Sequence, residues 1–251
     1  MKFSCTPLLF LAICTFWAWA ARQAERRGEI AANEVRAVFA WLALLGGWGV
    51  ATSYFAVTGI YRSAAFYDAL PGLWVPLAPV TLSLALIFTW PALRRALWVI
   101  AQKSPPRGFL LVHSLRIAAI GGLYKVRLGL LPASFVYPIG IPDFLFGTAS
   151  LYLAFAWGKA GYERRILIGW NLLGMAVLAA APLLMQLGLP GPLYVLRSQP
   201  DARTLFEFPM VLAPTLVVTV LFFMNGWQAF ALWRAGVQTS AQSQSTAGTK
   251  A

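Results

Sequence analysis

"HSLRIAAIGGLYKVRLGLLPASFVYPIGIPDF", residues 113–144, decides how the rest of the chain is read. It sets His113, Ser114 and Arg116 inside an apolar run. It then carries no charge from Leu128 to Pro142, is broken by Pro132, Pro138 and Pro142, and arrives at Asp143. Whether these residues are a soluble core or a membrane segment depends on the composition around them. Of 251 residues 59% are hydrophobic and only 11% are charged, whereas a soluble domain carries about 25% charged residues. A soluble chain of this length would still need a wetted surface. Lipid is therefore the expected surroundings of most side chains. The abundant tryptophan, 11 residues, suits interfacial belts.

Seven apolar segments follow, near residues 5–21, 37–60, 73–93, 109–127, 143–158, 166–188 and 208–233. The expected fold is all-α, a polytopic transmembrane helix bundle of about seven spans. Residues 1–235 form a single transmembrane helical domain. The polar, low-complexity tail 236–251 is expected to be disordered and cytoplasmic. "RRALWVIAQK", residues 94–103, has too few apolar residues to span. It reads as a helix extension or a helix lying at the interface.

The net charge of +12 would raise nucleic acid for a soluble protein. Here the basic residues cluster between apolar runs, and no nucleic-acid-binding motif accompanies them, so none is expected as a partner. Alternating spans put loops 22–36, 94–108 and 159–165 and the tail on one side, with thirteen Lys and Arg. The other side has six: Lys2, Arg62, Lys125, Arg127, Arg197 and Arg203. Positive charge marks the cytoplasmic face, so the N-terminus is expected outside and the C-terminus inside. The start, "MKFSCTPLLFLAICTFWAWAAR", resembles a secretory signal. Cleavage would send the arginines after it outside, so retention as the first span is expected. Cys5 and Cys14 lie nine residues apart on that helix, roughly 13 Å of rise and too far for a disulfide.

Within the fourth segment His113 and Arg116 are three apart and share a helix face. A central arginine costs about 2.5–3.5 kcal/mol unless paired or wetted. Asp143 is the candidate partner. It also suits a helix N-terminus after Pro142. The two residues sit at different expected depths. They meet only if "LPASFVYPIGIP" dips into the membrane as a re-entrant segment, since three prolines argue against one regular helix. His113, Arg116 and Asp143 thus form the candidate intramembrane polar site. A structural clasp, a ligand or ion site, and an arginine reaching to the inner headgroups all remain open. Asn171 and Asn225 are expected to hydrogen-bond neighbouring helices. Glu207 is expected to favour a helix start.

Arg116 in its helix, the G-x-LP turn at Gly129–Pro132, the P-x-G-x-x-D element at Pro138–Asp143 and the following Gly147 resemble a family of uncharacterised bacterial multi-pass integral membrane proteins. The resemblance covers about 30 to 40 residues. This chain has Pro142 where glycine is usual. The resemblance implies a multi-pass protein of the cell membrane, the bacterial inner membrane, and attaches no activity.

His113 is the only histidine, so haem ligation by paired histidines and a zinc HExxH centre have no candidates in one chain. No metal site or cofactor is expected. "GTAS" at Gly147–Ser150 is a poor match to an intramembrane serine protease. The last segment has no lysine for retinal, and no phosphate-binding glycine loop is present. Three functions stay open. The first is binding or moving a small molecule, ion or lipid. The second is a structural or assembly role, binding other membrane proteins through small-residue faces such as "GGWG", Gly46–Gly49. The third is a lipid-modifying enzyme with His113 as acid or base. The first is favoured over catalysis.

Overall fold

The structure, a computed structural model, describes residues 4–156 and 163–248. Lys2, Lys159 and Lys250 of the charge count lie outside the described residues, as does the end of the tail. Every regular element among the described residues is helical. The first helix, α1, is Thr6–Arg26, and α2 is Ala32–Val57. A turn through a short helix at Ala64–Asp68 leads to α3, Pro71–Thr89, whose first residues are irregular. Then come α4, Pro91–Lys103; α5, Pro106–Arg127; α6, Ala133–Ala156; and α7, Arg164–Leu187. The last helix, α8, opens with a π turn over Ala213–Val217 and continues as α-helix over Val218–Gly248.

Six of these helices (α2, α3, α5, α6, α7 and α8) are long and apolar enough to cross a membrane. The chain is a multi-pass, all-helical membrane protein on that length and composition. The backbone of α8 continues helical into the polar tail, as far as Gly248.

Two differences from expectation matter for the site. Residues 94–103 are not an extension of the preceding helix, one of the two expected readings: Trp90, extended before Pro91, ends α3, and they belong to the separate helix α4. In α4 Leu93, Ala96, Leu97 and Ile100 are buried at i, i+3, i+4 and i+7, while Arg94 and Arg95 stay exposed. The buried face packs on α1, α2 and α8.

The second difference is larger. The fifth apolar segment begins at Ala133, ten residues before Asp143. Residues 133–142 are not re-entrant; they are the first half of a continuous span. Pro132 precedes the first turn, where its missing N–H is no loss, and its carbonyl accepts from Phe135 and Val136 at 3.2 and 3.0 Å. Pro138 and Pro142 lie inside the helix. Each removes one i→i−4 bond without ending the helix, a defect that membrane helices tolerate when neighbours pack on them. The preceding helix stops in a Schellman turn: Leu130 N–H bonds Lys125 O and Gly129 N–H bonds Val126 O, both at 2.9 Å, with Gly129 at φ 67°. The G-x-LP motif is therefore the tight turn of a helical hairpin.

The core is aromatic as well as aliphatic. Trp17 and Trp41 are 0% exposed and meet edge-on at 5.4 Å, with Phe109 6.1 Å from Trp17. Several tryptophans expected at the interfaces are thus core residues, while Trp19, Trp74 and Trp233 remain exposed. At one end of the bundle Tyr61, Phe66 and Phe206 cluster at 4.5–5.4 Å. There Arg62 pairs with Glu207 at 3.8 Å. At the other end Arg95 pairs with Glu34 at 3.2 Å, and Gln102 donates to Ala231 O at 3.2 Å.

Candidate functional site

The α5–α6 hairpin sets the site. Arg116 is eleven residues before Arg127 at the end of α5, and Asp143 is ten residues after Ala133 at the start of α6. Each is therefore about 15–16 Å from the turn that joins the two helices, near mid-span. In antiparallel neighbours joined by a five-residue turn, that places both at one depth. Around Arg116 the backbone tightens into a 3₁₀ stretch, Leu115–Ala119. One turn beyond Asp143, on the same face, stands Gly147. A Cβ there would lie 2.5 Å from Ile117 N and 2.8 Å from the Arg116 carbonyl carbon. Only glycine lets the two backbones approach this closely.

Arg116 then makes three contacts. Its Nε donates to Asp143 Oδ1, forming an ion pair. Its Nη1 donates to Gly174 O of α7 at 3.2 Å. Its guanidinium carbon sits 4.1 Å from the centroid of the Phe146 ring, a cation–π contact. Phe146 is stacked on Trp170 at 4.7 Å, and Trp170 Nε1 donates to Ser150 at 3.1 Å. Nη2 of Arg116 has no hydrogen-bond partner. The arginine side chain is 0% exposed and that of Asp143 is 14% exposed. The carboxylate, not the guanidinium, is the accessible half of the pair.

His113 is buried one turn before Arg116. Its ring meets Phe146 edge-on at 5.9 Å. It lies beside Asn171, yet neither ring nitrogen has a hydrogen bond of normal geometry. The structure thus joins Arg116 to Asp143 and sets His113 in the same aromatic cluster. Asn171 and Asn225 differ from expectation. Both donate back to their own helices, to Leu167 O at 2.8 Å and Leu221 O at 2.9 Å. Their buried side-chain oxygens make no hydrogen bond of normal geometry, although Asn171 lies beside His113 of the neighbouring α5. Phe146 and the Gly174 carbonyl were missed by the sequence reading. Phe146, three residues after Asp143, could have been found from its shared face. A backbone carbonyl carries no sequence signal.

Beside the pair lies a cavity of about 310 Å³ between α1, α3, α5, α6, α7 and α8. Asp143 and Arg116 line one end, and Ser4, Thr6 and Lys125 line the other. Lys125 is nine residues beyond Arg116 on α5, about 14 Å along the axis. Between them the walls are apolar, among them Leu9, Ile13, Val80, Leu221 and Phe222. The volume is at the small end of ligand pockets, and the pattern of apolar walls with few polar groups is theirs.

The family profile described as a domain of unknown function (DUF8737) matches residues 72–234, which contain the whole α5–α6 hairpin with His113, Arg116, Lys125 and Asp143 but not Ser4 or Thr6. No curated protein and no solved structure matches the chain.

Proposed function

The chain belongs to the DUF8737 family, whose description assigns no activity, and from the site itself we propose that it binds an amphiphilic small molecule inside the bacterial inner membrane. One observation carries this reading. The apolar cavity has the Arg116–Asp143 pair at one end and a lysine at the other. Burying an ion pair at mid-membrane is costly. A clasp alone would need no adjoining cavity. His113, through Phe146, belongs to the wall that holds Arg116 in place.

The topology that fits is seven spans with the N-terminus outside and the C-terminus inside. At 21 residues, α1 is about 32 Å long, enough to cross the hydrocarbon core. Contacts between connections support the alternation. Arg62 reaches Glu207, and Ser134 reaches Ser198 at 3.0 Å, all in loops or helix starts assigned outside. Glu34 and Arg95 are both assigned inside. Reporter fusions after Arg27 and Arg234 should report cytoplasm. A periplasmic signal at either overturns this threading.

Binding is tested by thermal unfolding of the protein in nanodiscs with added single-chain acids, alcohols and amines. A ligand that binds the folded state raises the unfolding temperature. The shift should disappear in Val218→Trp, which fills the cavity from its α8 wall. If no amphiphile shifts the wild type, or if Val218→Trp shifts equally, the binding reading is wrong.

A further inference from the structure

We propose that the bound amphiphile is anionic, with a carboxylate or phosphate head seated on Lys125 and its chain running inward toward Asp143. This rests on the reading of the cavity as a ligand site and goes further, by naming the head group and its seat.

The charges at the two ends of the cavity differ. At the deep end Asp143 is already paired with Arg116. A cationic head there would be set against the guanidinium as well as the carboxylate. An anionic head would meet the carboxylate first, because the arginine side chain is 0% exposed. That end therefore favours neither sign, and the pair is neutral as a unit. The mouth is different. Lys125 lines it and is partly buried. Its one hydrogen bond is to the thioether of Met210, with Nζ 3.1 Å from Sδ, and the Cys5 side chain lies near enough to act on its charge. A thioether is only a weak acceptor. Among the described residues no carboxylate pairs with Lys125. At the same end of the bundle Arg62 has Glu207 and Arg203 has Asp201 at 2.8 Å.

A partly buried ammonium with no carboxylate beside it among the described residues attracts an anionic head, since a charge-assisted bond to carboxylate or phosphate replaces lost hydration far better than sulfur does. The hydroxyls of Ser4 and Thr6 line the same cavity and are hydrogen-bonded to each other, which leaves one O–H of the two to donate to a remaining oxygen. Below the head, about 14 Å of apolar wall accepts a hydrocarbon chain. Lys125 lies two residues from the end of α5, at the depth where head groups sit, so the ligand would enter from the leaflet at that end.

Photo-crosslinking tests this. The protein in nanodiscs of neutral phospholipid is exposed to chain-diazirine forms of dodecanoic acid, dodecyl phosphate and dodecanol, and labelled peptides are mapped. Acid or phosphate should label Val218–Phe222 or Ile139–Asp143 about tenfold more than the alcohol, the effect of one charge-assisted bond. Comparison of the two anions identifies which head is preferred. Lys125→Gln should bring the anions down to the alcohol level, and Lys125→Arg should keep the preference. Both variants must unfold at the wild-type temperature, so that a loss cannot be misfolding. Equal cavity labelling by acid and alcohol overturns the anionic head while leaving the cavity a ligand site. A preference unchanged in Lys125→Gln overturns the lysine seat. Absence of cavity labelling by every probe overturns the ligand site and this inference with it.

Discussion

Arg116 and Asp143 stand at the same depth on the two arms of one helical hairpin, and their side chains form an ion pair shielded by Phe146. The hairpin turn, Gly129 to Pro132, is the origin from which both depths are counted. Lengthening either arm by one residue would rotate one partner by about 100° and remove the pair.

Breaking the pair should be asymmetric. Asp143→Asn leaves a buried guanidinium, which cannot lose its charge, and should destabilise by about 3–5 kcal/mol. Arg116→Leu leaves a carboxylate that a proton can neutralise, so its cost should be smaller. The double variant Arg116→Leu/Asp143→Leu should recover much of the loss. Thermal unfolding of all three in detergent gives the coupling. Additive effects would show that the two side chains do not act together.

Gly147→Ala should push α6 off α5. The new Cβ meets backbone atoms of Ile117 and Arg116 at 2.5 and 2.8 Å, and backbone cannot swing aside as a side chain does. Overpacking of this kind costs about 1–3 kcal/mol. The loss should fall with that of Arg116→Leu in a double-mutant cycle, because both act on one contact. A neutral or stabilising Gly147→Ala would show that the helices are not held this close.

Gln186 ties the start of α3 to the end of α7. It is buried, and its Oε1 accepts from Gly72 N–H at 2.9 Å. Gln186→Leu leaves that N–H unpaired and should cost about 1–3 kcal/mol. Gln186→Glu, which keeps an acceptor, should behave differently from Gln186→Leu in unfolding temperature. Identical loss in both would assign the effect to packing alone.

Alkaline pH should loosen the loop end of the bundle. Burial raises the pKa of Tyr61 above its ordinary 10.0, against a lowering effect of its hydrogen bond to Thr52 at 2.9 Å. The unfolded tyrosine therefore ionises first. The stability this contributes is complete below about pH 10 and is lost as pH rises through the higher folded value. Tyr61→Phe should reduce that alkaline slope in unfolding measurements. An unchanged slope would assign it to other groups, Tyr67 first, since burial raises that phenol as well.

Much of the hairpin is legible in the sequence. Arg116 needs a partner in lipid, and Asp143 is the nearest acid that no loop claims. His113 and Arg116 share a face by spacing and do share Phe146. The misreading concerned the prolines. Local propensity treats Pro138 and Pro142 as breakers, a rule calibrated where water waits to take the freed carbonyls. In a bundle, neighbouring helices replace that water, and the helix runs through. Trp17 and Trp41 mislead in a similar way. Their composition says interface, but packing against Phe109 puts them inside.

The sequence by itself determined the solvent, the helical class, the positions of most spans and the uneven distribution of positive charge. These follow from transfer energies and charge, which act residue by residue. Tertiary structure alone decided that Asp143 lies at the depth of Arg116, that Gly147 admits the contact, that Gly174 supplies a carbonyl, and that a cavity runs from Asp143 to Lys125. Those depend on how distant segments pack, and packing is a property of pairs of helices that no single stretch of chain contains.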